Sequence, residues 1–168
     1  MKLNKTEYDP KLNSYEVVIA GGAMIGTAIA WFLISNKDFN GKILVVEKDP
    51  TLEFSSTSRT NNSIRQQFSN RLNIEISKFS SNYILNFKSY MENDERIPEI
   101  MFNKIGYLYL ADNINKINLL KQNQKLQNSL NIPTKIYDQN SLLEKFPYLN
   151  VKNLIGGSYN NYNEGYFD

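Results

Sequence analysis

The 168-residue chain has no cysteine and no histidine. The first absence excludes disulfides, thiolate catalysis and cysteine-ligated metals. The second removes the commonest general base and metal ligand, and with it any histidine-centred triad built from this chain alone. No metal site is expected, and whatever chemistry occurs has to be carried largely by a cofactor. Net charge is small: 19 Lys and Arg against 17 Asp and Glu leave a formal +2. Lysines and asparagines are spread along the chain, so no strong field recruits nucleic acid or an anionic membrane. Long apolar runs are missing too, since the longest, residues 28–34, is far too short to span a bilayer. The polar start, MKLNKTEYDPKLNS, has no apolar h-region and does not read as a secretory signal. A cytoplasmic protein without an integral membrane segment is the default expectation. The length suffices for one domain with a real core.

Against these absences stands one stretch, YEVVIAGGAMIGTAIAWFLISNKDFNGKILVVE, residues 15–47. Val17, Val18, Ile19 and Ala20 read as a short strand buried on both faces. Gly21 and Gly22 permit a sharp turn. From Met24 the period becomes helical, with Ile25, Ala28, Ile29, Phe32 and Leu33 at three- and four-residue spacing. Gly41 closes the connection, and residues 42–46 form a second buried strand ending at Glu47. Such a turn faces a helix N-terminus, whose unpaired N–H groups and dipole attract phosphate. Gly26 lets helix and sheet pack closely, and Glu47, about twenty residues further on, can accept hydrogen bonds from ribose hydroxyls. These are the parts of a dinucleotide-binding fold. One position departs from G-x-G-x-x-G: Ala23 stands where the middle glycine brings backbone close to the pyrophosphate. A βαβ unit that binds no nucleotide is the alternative.

After the turn signal Lys48-Asp49-Pro50, residues 54–69 are rich in hydroxyls and amides. They read either as a solvated loop or as a polar strip beside a dinucleotide, with Ser56 and Thr57 facing phosphate and Asn61, Asn62 and Ser63 lining a redox ring. Residues 70–92 form an expected long helix capped by Ser69 or Asn70, with Leu72, Ile76, Phe79, Tyr83, Phe87 and Met91 as its buried stripe. Strands are expected at residues 100–102, 105–110, 134–137 and 155–159, and helices at 114–130 and 139–146, the latter stopped by Pro147.

With these elements in place, VVIAGGAMIG followed by AIAWFL resembles the N-terminal motif of the FAD-dependent oxidoreductases of the D-amino-acid oxidase, glycine oxidase and sarcosine oxidase type. A bacterial subgroup, related to the FAD-dependent oxidoreductase domain proteins, is similar in carrying alanine where Ala23 stands. The segment EKDPTLEFSSTSRTNNSIRQQFS resembles the same subgroup, SIRQQF being its most specific part. GYLYLA, LLEKFPYLN and the terminal EGYFD are similar to landmarks of the family's substrate domain.

The resemblance implies FAD and an α/β fold: a Rossmann-like FAD-binding βαβ unit, then the start of an α+β substrate domain, incomplete. It implies an N-terminal extension over residues 1–14, the N-terminal part of the FAD-binding domain over 15–95, and a partial substrate domain over 96–168. By position, Met24, Ile25, Glu47, Lys48, Ser56, Thr57, Asn61, Asn62 and Ser63 match flavin contacts, with Gly21, Gly22, Ala23 and Gly26 shaping the turn. Arg65 is the one cation placed near flavin or substrate, a structural ion pair being its other reading. The implied reaction is oxidation of a C–N bond in a small amine or amino-acid substrate. Family members run roughly twice this length or more, so a C-terminal half or a partner subunit is expected to complete the fold. Two alternatives stay open: a pyridine-nucleotide dehydrogenase domain, since Glu47 suits NAD ribose equally, and a non-catalytic fragment that binds a nucleotide or a partner.

Overall fold

A computed structural model describes residues 9–167; residues 1–8 of the expected lead-in and the terminal Asp168 lie outside the described residues. The chain divides into two units, residues 1–60 and 61–168.

The first unit is built on β1 (Val17–Ala20), α1 (Met24–Ile34) and β2 (Ile43–Val46). β1 and β2 pair in parallel, from Val17 opposite Ile43 to Ala20 opposite Val46. Parallel neighbours need a crossover, and α1 supplies it. Ile19 and Gly26 are buried between strand and helix. The two-sided burial expected of the strands is not seen: Val18 is 60% exposed, and Val45 and Val46 are exposed as well. Nor does the apolar stripe of α1 face the sheet. Ile25 is 77% exposed, and Met24, Ile29 and Phe32 are exposed beside it. The reason is geometric. The helix approaches the strands through Gly26, its residue without a side chain, so the large residues on its other faces point away. After β2, residues 47–60 are turns held by local bonds such as Thr51 N–H to Asp49 Oδ1 at 3.0 Å.

The second unit holds two antiparallel sheets. One joins β3 (Ser63–Ile64), β4 (Phe102–Asn103) and β8 (Gly165–Phe167) in the order β3-β8-β4. The other joins β5 (Tyr107–Ala111), β6 (Lys135–Asp138) and β7 (Gly156–Asn160) in the order β5-β7-β6. Around them lie α2 (Arg71–Leu85), α3 (Phe87–Tyr90), α4 (Ile114–Ser129) and α5 (Gln139–Lys145). Asn70, Asn113 and Asp138 cap α2, α4 and α5, each side chain accepting an N–H of the first turn, the role that short polar side chains play best.

The expected buried stripe of the 70–92 helix is corrected. Leu72 is 65% exposed, and Ile76 and Phe79 are exposed too, while Ile74 and Ser81 are buried. The helix also breaks at Asn86, whose Nδ2 donates to the Asn82 carbonyl at 2.8 Å. A side chain that bonds backbone locally competes with helix continuation. On α4 the buried positions are Ile117 and Gln127. The buried Gln127 amide is half satisfied: its Nε2 donates to the Phe68 carbonyl at 3.0 Å, while its Oε1 has no partner among the described residues.

A buried polar cluster ties the two ends of this unit together. Glu164 is 0% exposed. Its Oε1 accepts the Gln66 N–H at 2.5 Å and its Oε2 accepts Gln67 Nε2 at 2.9 Å. Gln67 Nε2 also reaches the Tyr107 carbonyl at 2.8 Å, and Ser158 Oγ donates to Gln67 Oε1 at 3.0 Å. Burial pushes the Glu164 carboxyl above its usual range, opposed by the amide donors. A group with a raised folded-state pKa holds its proton more tightly when folded, so its contribution to stability falls as pH rises above the unfolded value. Glu164→Ala leaves the buried Gln66 N–H without an acceptor and should cost about 1–3 kcal/mol. A lowered urea midpoint with unchanged m-value is the expected readout, and the loss should be larger near pH 5 than near pH 7.5.

Candidate functional site

The turn between β1 and α1 depends on one close approach. A Cβ on Gly26 would lie 1.8 Å from the Gly21 carbonyl oxygen, so no side chain fits there. Gly21 itself has φ of 106°, the left-handed region open to glycine, and its N–H donates to the Val46 carbonyl at 2.8 Å. Ala23 is the N-cap of α1 with φ −76° and ψ −168°. That is ordinary extended backbone, so the turn does not require a glycine at this position.

α1 has no side-chain cap and no acidic residue in its first turn. Met24 N–H donates to Thr57 Oγ1 at 3.3 Å. Among the described residues, the N–H groups of Ile25 and Gly26 have no hydrogen-bond partner. Unpaired first-turn N–H groups and the positive end of the helix dipole together suit an anion.

Glu47 stands beside this turn. Its Oε2 accepts the Gly22 N–H at 2.6 Å and its Oε1 accepts the Asp49 N–H at 2.8 Å. These bonds hold its carboxyl below the usual range, the Asp49 N–H contributing most. Each carboxylate oxygen keeps a lone pair for a further donor such as a ribose hydroxyl. Gly21, Gly22, Ala23, Met24, Ile25, Gly26, Glu47 and Thr57 therefore form one constellation. Lys48 and Ser56 are exposed on the adjoining turns. The donor set suits a phosphate at the start of α1 and a hydroxyl donor at Glu47.

The remaining sequence-derived candidates lie in the second unit. Asn62 has φ of 49°, and its carbonyl accepts the Phe167 N–H at 3.1 Å. Ser63 is in β3, opposite Tyr166, and Asn61 precedes them, exposed. Arg65 is exposed, with its guanidinium 5.2 Å from the Phe68 ring centroid and 6.0 Å from that of Tyr107. No ion pair to Arg65 is present among the described residues. The residues that sequence reasoning left without a role are Gln66, Gln67 and Glu164, which pin this segment from beneath. Two adjacent glutamines inside an otherwise mixed segment were the only signal.

Comparison with known proteins defines the class. The family model described as DAO, FAD dependent oxidoreductase, matches residues 16–168. FAD-dependent oxidoreductase domain-containing protein 1 of Xenopus laevis is 36% identical over 157 residues, covering 91% of this chain and 31% of the relative. The Bos taurus protein of the same name is 33% identical over 156 residues, covering 91% and 32%. Among solved structures, L-proline dehydrogenase from P. horikoshii superposes with a TM-score of 0.68 at 29% identity, covering 87% of this chain and 36% of that one. Glycine oxidase from Geobacillus kaustophilus shares the fold, with a TM-score of 0.69 at 19% identity, covering 91% and 40%.

The chain thus belongs to the FAD-dependent oxidoreductase family. Its cofactor class is FAD, and the pyridine-nucleotide alternative is not favoured. The chain spans about a third of the length of the curated relatives it matches. No helix among the described residues is long and apolar enough to cross a membrane.

The Glu47 geometry predicts a titration. As pH falls through its lowered pKa, the carboxylate protonates and weakens both bonds it accepts. The amide resonances of Gly22 and Asp49 should move together with one midpoint below the ordinary value of 4.5, and Glu47→Gln should abolish that step.

Proposed function

We propose that this chain is the N-terminal, FAD-holding part of an oxidoreductase that oxidises the C–N bond of an amino acid or N-methyl amine. The observation that carries the reading is the open N-terminus of α1: unpaired N–H groups, no acid in the first turn, and Glu47 alongside. Similarity at 29% identity to a protein named for L-proline oxidation supports an amine substrate.

In this reading the first-turn N–H groups and the α1 dipole hold the pyrophosphate, and Gly21, Gly22, Ala23 and Gly26 keep the backbone out of its way. Glu47 takes the ribose hydroxyls. Met24, Ile25, Lys48, Ser56 and Thr57 complete the contacts offered by the first unit, and by position in the family motif Asn61, Asn62 and Ser63 are the second unit's own candidates. Arg65 offers a positive charge to flavin or to an anionic substrate group. When bound, FAD supplies the two-electron acceptor for hydride leaving the carbon beside nitrogen. Residues 15–95 serve as the N-terminal part of the FAD-binding domain and 96–168 as part of the substrate domain. A C-terminal half or partner subunit completes the fold, a reading supported by the exposed apolar residues Met24, Ile25 and Ile29.

Flavin retained per chain after incubation with FAD and desalting tests the reading. Glu47→Ala removes charged acceptors worth about 1.5–3 kcal/mol and should weaken retention about ten-fold or more. Ala23→Gly should change it little, because Ala23 already sits in unstrained extended backbone. Equal retention by wild type and Glu47→Ala, or binding of NAD in place of FAD, contradicts the assignment.

A further inference from the structure

The second unit carries a cavity of about 390 Å³ whose lining is unusual in charge. Lys104, Lys135 and Lys145 reach it, together with Tyr137, Tyr159 and Tyr162. Three lysines among its lining residues stand against a formal +2 for the whole chain. Among the described residues, ion pairs engage Lys88 and Lys116 but none of these three. Three carboxylates adjoin lining residues in sequence: Glu164 is 0% exposed and committed to Gln66 and Gln67, Asp138 accepts from Ser141 N–H and Ser141 Oγ, and Glu144 is exposed. None of the three forms an ion pair with Lys104, Lys135 or Lys145 among the described residues.

The fold holds these cations in place. Lys135 and Tyr137 lie two residues apart on β6, hence on one face of the sheet, and Lys135 is in register with Tyr159 on β7. The Lys145 Nζ, at the end of α5, stands 5.1 Å from the Tyr159 ring centroid, 5.8 Å from that of Phe146 and 6.0 Å from that of Tyr137. The aromatic wall thus fixes this ammonium at the mouth of the cavity. Tyr159 OH donates to the Ile105 carbonyl at 2.9 Å, tying the segment that carries Lys104 to the same wall. The floor, residues 160–163, is braced by Tyr162 N–H to Asn160 Oδ1 at 3.0 Å and by Gln66 Nε2 to the Tyr162 carbonyl at 2.7 Å. A concave site lined by one sign of charge with aromatic walls focuses field and concentrates counter-ions.

We infer that this cavity is a binding site for a small multivalent anion, a molecule bearing phosphate or several carboxylates. Lysine ammonium groups act as point charges toward either group, and the phenol and amide groups around them add donors.

The test is a heteronuclear NMR titration of the labelled 168-residue chain at constant ionic strength, with sodium pyrophosphate in one arm and citrate in the other. Saturable shifts in residues 135–137, 145 and 159–163 are expected. The arm that saturates at lower concentration identifies phosphate or carboxylate as the preferred group. Lys135→Gln with Lys145→Gln should weaken binding about ten-fold, two exposed pairs at up to about 1 kcal/mol each. Both side chains are exposed, so the fold is expected to survive, and the unperturbed resonances report on it. Shifts scattered over all surface lysines, shifts confined to residues 21–26, no saturation in either arm, or an unchanged affinity in the double variant would each overturn the inference.

Discussion

The contact on which the first unit depends is the approach of Gly26 to the Gly21 carbonyl, where a Cβ would intrude to 1.8 Å. It lets α1 lie against β1 at its first turn. With the helix start held there, its N–H groups converge on the turn and the end of β2 places Glu47 against Gly22. A side chain at Gly26 would displace the helix and dissolve this arrangement. The open helix start and the acidic residue beside it therefore follow from one steric fact.

Large apolar residues of α1, Met24, Ile25 and Ile29, are exposed, and α2 shows a similar pattern. Leu72, Ile76 and Phe79 are exposed while Ser81 is buried. Soluble chains rarely leave contiguous apolar surface without a use. In a chain that spans about a third of its curated relatives, the proposed complementing half or subunit gives that surface a purpose. The second unit makes up for a thin apolar core with polar burial. Gln66, Gln67, Gln127, Ser158 and Glu164 are buried, and each is bonded to backbone or to another of the group. Such networks specify geometry most strongly when fully satisfied; here Gln66 Oε1 and Gln127 Oε1 are buried without a partner among the described residues.

Much of this was legible in the residues. β1, α1 and β2 follow from a switch of apolar period at a pair of glycines, and the helices expected over 114–130 and 139–146 correspond to α4 and α5. The constellation of turn and Glu47 was readable for the same reason: spacing alone puts the acid at the end of the second strand. What was not legible is which face of a helix is covered. The six-residue stripe on the 70–92 segment has a sound helical period, yet Ile74 and Ser81 face inward, because period reports a face and not its partner. The Asn86 break escaped notice because it comes from one side chain bonding its own backbone. β3, only two residues long, is defined by its partner β8 about a hundred residues away, and no local pattern encodes that. Glu164 read as part of a terminal landmark and not as a buried acid, since burial of a charge depends on donors supplied from residues 66 and 67.

The central claim is that the turn from Gly21 to Gly26 receives the diphosphate of an adenine dinucleotide. The most direct measurement is an NMR titration with ADP, which carries the diphosphate and ribose without the flavin. The account predicts saturable shifts at the amides of Gly22, Ile25 and Gly26, with Glu47 moving alongside. Saturable binding that leaves these amides unmoved, or no binding at any ADP concentration by a folded chain, would contradict it.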